Sequence, residues 1–131
     1  MFSTIASANE EEILVICNPD VAIDKIDKNH LRSIFAMRLQ EWPDQKPVNV
    51  FVLEDNSPLH QKFTKKHLGF FVYQLRGAWD RQVFSGTGSP PNTLLNERSM
   101  LEKVATTPGA IGYLPRKLVD HTVKILKVEM P

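Results

Sequence analysis

The chain has 131 residues, 42% of them apolar, and sixteen Lys and Arg against fifteen Asp and Glu give a formal charge of +1. That length suits one domain with a core that needs no disulfide or metal, and a two-lobed protein takes roughly twice as much chain. The interspersed charges argue against a nucleic-acid-binding face, which needs clustered Lys and Arg, and no stretch reaches the ~20 apolar residues of a membrane span.

The N-terminus runs from small apolar residues, Phe2 to Ala8, into the acidic Glu10-Glu11-Glu12. Ala6-Ser7-Ala8 has the small-residue pattern of a signal-peptidase site. Residues 1–8 therefore read as a signal-peptide remnant and residues 9–131 as a single domain, with an ordinary frayed terminus as the alternative. Cys17 is the only cysteine. It lies in an apolar run and reads as a buried structural thiol.

Ile13 to Cys17 is continuous and β-branched, which predicts a strand buried on both faces. Asn18-Pro19-Asp20 ends it. Asp27 is placed to cap a helix over 28–37, where Leu31, Ile34 and Phe35 share one face. Trp42-Pro43-Asp44-Gln45-Lys46-Pro47 makes a proline-bounded turn before a second strand, Val48 to Leu53.

Ser57 as N-cap and Pro58 as first helical residue open the next helix, because proline there forfeits only an unpaired donor. Leu59 and Phe63 point inward, Lys62, Lys65 and Lys66 outward, and Gly69 ends it. Val72, Leu75, Trp79 and Val83 form the stripe of a third helix. Two glycines and two prolines make 85–91 a loop.

Asn96 is placed to cap a fourth helix with Met100, Leu101 and Val104 as its inner face, stopped by Pro108-Gly109. Ala110 to Leu114 follows as a strand, and Thr122 to Val128 as an edge strand alternating with Lys124 and Lys127. The order β-α-β-α-α-α-β-β describes one α/β domain, a mostly parallel sheet covered by helices. Phe35, Phe51, Phe63, Trp79 and Val104 are its expected core.

Three landmarks occur in order: Ile34-Phe35 before Trp42-Pro43-Asp44, Asn56-Ser57-Pro58 ahead of Phe63, and Thr107-Pro108-Gly109-Ala110-Ile111-Gly112-Tyr113-Leu114. Gly112 within the last leaves room for close approach of a neighbour. From about Asn18 to Leu114 the chain resembles the second lobe of the phosphate-type periplasmic solute-binding proteins of ABC transporters. The resemblance implies one lobe of a type II periplasmic-binding-protein fold with a mixed, mostly parallel sheet. It also implies a periplasmic or secreted protein and a small oxyanion such as phosphate as ligand.

A strand feeding a turn and then a helix presents backbone amides and the positive end of a helix dipole, which suits an oxyanion. In the resembled family this turn is Gly-Ser-Gly-Thr preceded by an arginine. The matching residues here are Asn56-Ser57-Pro58-Leu59, with Leu53 at the arginine position. Ser57 is carried over as a hydroxyl ligand. Pro58 removes an amide, Leu59 replaces a hydroxyl, and Glu54 and Asp55 bring negative charge. His60 offers a partial substitute when protonated. The candidate ligand residues are Asn56, Ser57, Leu59 and His60, and the competing reading is a well-capped helix and nothing more.

Ser85-Gly86-Thr87-Gly88-Ser89 spells the phosphate turn more closely but follows a helix and runs into Pro90-Pro91, the wrong context for a cradle. His60 and His67 lie two turns apart, about 10.5 Å of rise, too far to share a metal. No nucleophile elbow or convergent carboxylate pair occurs, so no catalytic residue, metal or cofactor is expected. The expectation is a non-enzymatic domain that binds phosphate-like oxyanions weakly. The alternative is a module that has lost the anion and contacts a protein partner, or a second copy of itself, through the face of the missing lobe.

Overall fold

The computed structural model describes residues 12–130; the boundary expected after residue 8 lies outside them. The first strand, β1 (Ile13–Cys17), is buried at all five positions. It runs antiparallel to β5 (Ala110–Pro115) on one side and to β6 (Lys124–Ile125) on the other. Beyond β5 lie β3 (Asn49–Leu53) and β4 (Asn92–Leu94), each joined in parallel, so the five-stranded order is β4-β3-β5-β1-β6. A second parallel pair is formed by β2 (Lys25–Asp27) and β7 (Lys127–Glu129). Over the two sheets together three strand pairings are parallel and two antiparallel, the mixed, mostly parallel α/β arrangement that the sequence predicts.

Three helices begin where side-chain oxygens can take an otherwise unpaired amide. Asp27 accepts from the His30 amide at 2.8 Å to open α1 (Lys28–Phe35). Ser57 does the same for α2 (Pro58–Phe63), which widens into a π turn over Thr64–Leu68 and stops at Gly69, φ 72°. Asn96 opens α4 (Glu97–Thr106) by accepting from the Ser99 amide at 2.9 Å. Between them, α3 (Val72–Phe84) starts at Phe71, whose amide donates to Gln74 Oε1.

The core is aromatic where helices meet the sheet. Phe63 stacks on Tyr113 with centroids 4.1 Å apart, and Phe35 meets Phe63 edge-on. Trp79 is buried, and its indole N–H donates to the Phe35 carbonyl at 2.7 Å. Phe35, Phe51, Phe63, Trp79 and Val104 are all buried, as expected. Burial pushes the Cys17 thiol up to about 11, consistent with an inert structural cysteine.

Two of the sequence landmarks touch. The Trp42 indole N–H donates to the Gly109 carbonyl at 3.0 Å, and Asn49 Nδ2 donates to Pro108 O at 2.7 Å. Gly109 has φ 71°, and a β-carbon there would collide with the Pro47 carbonyl. Gly112 lies under α4, where a β-carbon would be 2.5 Å from Met100 Sδ. The close approach expected at Gly112 is thus to a helix of the same domain.

Four expectations need correction. The first helix ends at Phe35 rather than Met37, because Met37 takes φ 64°, a left-handed turn that no right-handed helix continues. The stripe on α3 is narrower than its spacing suggests: Leu75, Ala78 and Trp79 are buried, Val72 is half-buried, and Val83, in the last turn, is 47% exposed. The C-terminal strand is two strands, since the chain changes sheets at Leu126, whose amide donates to Val15 while Lys127 donates to Asp24. Finally, β2 and β4 are added. Their three residues each are too few for a periodic signal, and their partners supply the pairing.

Candidate functional site

In-register parallel strands β3 and β4 end together, Leu53 opposite Leu94. Each chain then turns directly into a helix, through Glu54–Ser57 into α2 and through Leu95–Asn96 into α4. The two helix starts therefore open on one cleft of about 670 Å³, whose walls include Leu53, Ser57, Leu95, Arg98 and Leu118. A crevice outside the carboxyl ends of parallel strands is the usual ligand position in open α/β sheets. Asn56 and Ser57, the first two expected ligand residues, line it.

Ser57 already has a structural task, since its Oγ accepts the His60 amide at 3.3 Å. Pro58 brings no amide, which leaves the Leu59 N–H as the open donor of the first turn. On the opposite wall, Asn96 takes the Ser99 amide and leaves those of Glu97 and Arg98 facing the start of α4. Arg98 supplies an exposed cation at the cleft, set against the carboxylates of Glu54 and Glu97.

His60 does not face this cleft as expected. Its ring is fully buried under α2, with Nδ1 2.5 Å from the Tyr113 hydroxyl. The same hydroxyl oxygen accepts the Leu53 amide at 2.8 Å; assigning its proton to Nδ1 places the imidazole proton on Nε2. Burial holds the His60 pKa below the ordinary value of 6.5 and keeps the ring neutral. Leu59 is half-buried and packs against the core. His60 and Leu59 therefore act from behind the turn, anchoring α2 and fixing the Leu53 end of β3.

Asp55 also differs from the simple charge count. Both of its carboxylate oxygens are gripped by Arg76 at 3.0 Å from Nε and Nη2. That fork, stacked at 5.1 Å over Trp79, raises the Arg76 pKa chiefly through the hydrogen bond to Asp55. The negative charge beside the turn is thereby reduced to that of Glu54.

Sequence reasoning missed Leu95, Glu97, Arg98 and Leu118. A signal for part of this wall was present, because the Asn96 cap implies a second helix N-terminus. Only the pairing of β4 with β3 brings that terminus opposite Ser57. The glycine-rich loop after α3 is self-satisfied: Thr87 Oγ1 lies 2.7 Å from Ser85 Oγ and donates to Gln82 Oε1 at 2.9 Å. Among the described residues there is no cluster of three metal-ligating side chains, and no helix is long and apolar enough to cross a membrane.

No family model matches the chain. Over 120 residues it is 30% identical to the phosphate-binding protein PstS of Bacillus subtilis, covering 86% of this chain and 34% of that protein. The solved structures it resembles include an ABC-type phosphate transport receptor from Vibrio cholerae, with TM-score 0.70 and 14% identity. A putative phosphate ABC transporter substrate-binding protein with bound phosphate from Clostridium perfringens gives TM-score 0.71 and 18% identity. PstS from Borrelia burgdorferi gives TM-score 0.70 and 17% identity. These matches cover 88%, 88% and 89% of this chain but 45%, 44% and 47% of those chains. The chain spans about a third of its curated relative and under half of each solved one. It has the fold of a single lobe of these proteins.

Proposed function

We propose that the chain is a non-enzymatic, exported solute-binding lobe that holds a small phosphate-like oxyanion weakly in the cleft between the starts of α2 and α4. The convergence of two helix N-termini and Arg98 on the in-register ends of β3 and β4 carries this reading. Helix N-termini attract anions through open amides and a dipole of about half a charge. The curated relative named as a phosphate-binding protein supports phosphate as the anion to try first.

Weak binding follows from what opposes the anion. Leu53 stands where the resembled family places an arginine, Pro58 withholds an amide, and Glu54 and Glu97 repel. An open cleft leaves each attraction screened by water and salt. Affinity near millimolar, about 4 kcal/mol, is the expected scale. Isothermal titration with inorganic phosphate at low salt tests the reading, with Arg98→Gln expected to abolish the heat. Micromolar binding, or binding indifferent to Arg98, would overturn this account of the cleft.

A second reading rests on the rim. Leu95 is 83% exposed and Leu118 37% exposed beside the cleft. Exposed leucines flanking a crevice suit a protein surface or a second copy of the chain. Sedimentation equilibrium of the wild type against Leu95→Ser distinguishes self-association from a monomeric anion site.

A further inference from the structure

Away from the cleft, residues 28–40 and 59–79 hold seven of the chain's sixteen basic side chains and none of its fifteen acidic ones. These two stretches meet in the fold, where α1 packs on the π turn after α2. The charge balance of +1 conceals this segregation. Of the carboxylates bordering the two stretches, Asp27 is held by His30 and Asp55 by Arg76, while Glu41 and Asp80 are exposed at their ends. Lys65 and Lys66 are exposed on the π turn, and Arg38 beyond α1.

Aromatic side chains protrude among these cations. Phe71 is 54% and Tyr73 73% exposed, and their rings lie parallel with centroids 5.8 Å apart. Lys65 Nζ sits 5.9 Å from the Phe71 ring centre. One residue earlier, Arg32 lies 4.7 Å over Phe70, and Arg32 and Arg38 flank a small recess of about 200 Å³. Phe71 is also the N-cap of α3 and has no side-chain acceptor for the helix's first amides. The Gln74 amide turns back to the Phe71 carbonyl at 3.0 Å, which leaves those of Val72 and Tyr73 open toward negative charge.

We propose that this basic and aromatic face docks on an anionic phospholipid surface. Cations alone would serve any acidic partner. Two rings projecting together beside flexible lysines suit a layered surface, with phosphate groups outside and hydrocarbon just beneath. Aromatic rings settle at that boundary, while Lys and Arg reach back to the phosphates. The face is separate from the cleft and does not depend on the cleft's ligand. Contact at the headgroup level requires no spanning helix.

Co-sedimentation with vesicles tests it, using the full chain. The protein is expected to pellet with phosphatidylcholine–phosphatidylglycerol vesicles at low salt, to release as salt rises, and to stay in solution with phosphatidylcholine alone. Lys65→Glu with Lys66→Glu, and separately Phe71→Ser with Tyr73→Ser, should each weaken partitioning by about tenfold or more. Unchanged circular dichroism and melting temperature would show that these exposed substitutions leave the fold intact. Arg98→Gln should pellet as the wild type does, which separates this face from the cleft. Failure to pellet with anionic vesicles, or pelleting indifferent to both double variants, overturns the proposal. So does displacement by millimolar inorganic phosphate, which would mark a free-anion site. Binding to polyglutamate that vesicles cannot displace would assign the face to an acidic protein, and equally overturn it.

Discussion

The Tyr113 hydroxyl joins His60 Nδ1 at 2.5 Å, and through its acceptance of the Leu53 amide it ties α2 to the end of β3. Three elements meet at this one oxygen: the helix after the candidate turn, the strand that floors the cleft, and β5. Protonating His60 would place a hydrogen on Nδ1 against the phenol proton and add a charge to dry surroundings, where Nε2 also has no partner among the described residues.

Stability should accordingly fall in mild acid. His60 has a folded pKa below its ordinary 6.5, and so does half-buried His67, each chiefly through burial. The unfolded chain then binds protons that the folded chain does not. The contribution is complete above pH 6.5 and is lost as pH falls from there through the lowered folded values. Urea denaturation at neutral and mildly acidic pH should show the loss, with a shallower pH slope in His60→Gln. A stability that is flat across this range would contradict the buried neutral ring.

Tyr113→Phe isolates the hydroxyl. It keeps the stacking on Phe63 and leaves the Leu53 amide and His60 Nδ1 without their partner. The expected cost is about 1–3 kcal/mol, the range for a buried group left unsatisfied. Equilibrium urea unfolding measures it; a neutral result would show that the two orphaned groups find new partners.

Trp79 fills the space between α3 and α1, and its N–H is satisfied by the Phe35 carbonyl. Trp79→Ala should destabilise by about 3–5 kcal/mol, the scale of emptying a large aromatic site. Trp79→Phe should recover part of this while losing the hydrogen bond. Thermal and chemical unfolding of the pair give the test.

Gly109 combines a left-handed backbone with a space already occupied by the Pro47 carbonyl. Gly109→Ala should cost more than the ~1 kcal/mol of an open left-handed site, because backbone must move and the Trp42 contact at the Gly109 carbonyl moves with it. Reduced stability with an altered tryptophan emission spectrum is the expected signature.

Ser57 and Arg98 should separate structural from ligand effects at the cleft. Ser57→Ala removes a helix cap and is expected to cost about 1 kcal/mol of stability whether or not an anion binds. Arg98→Gln is expected to leave stability nearly unchanged while removing phosphate binding. Parallel denaturation and calorimetry on the two variants would read both effects. Phosphate heat that survives Arg98→Gln would place the anion elsewhere.

Much of this fold is legible along the chain because its signals act over a few residues. Asp27, Ser57 and Asn96 cap helices through the amide three positions on, and Gly69 ends one with a positive φ. The buried run at Ile13–Cys17 and the Trp42 and Pro108-Gly109 turns are equally local. Contacts between distant segments decided the remainder. His60 looks like an exposed cation beside a turn until Tyr113, 53 positions away, draws its ring inward. Asp55 looks repulsive until Arg76, 21 positions on, takes both its oxygens. Arg98 enters the cleft only because β4, too short to announce itself, pairs in register with β3. Periodicity and capping specify which surfaces a segment offers, but hydrogen bonding and burial between segments select which side chains remain free to meet a ligand.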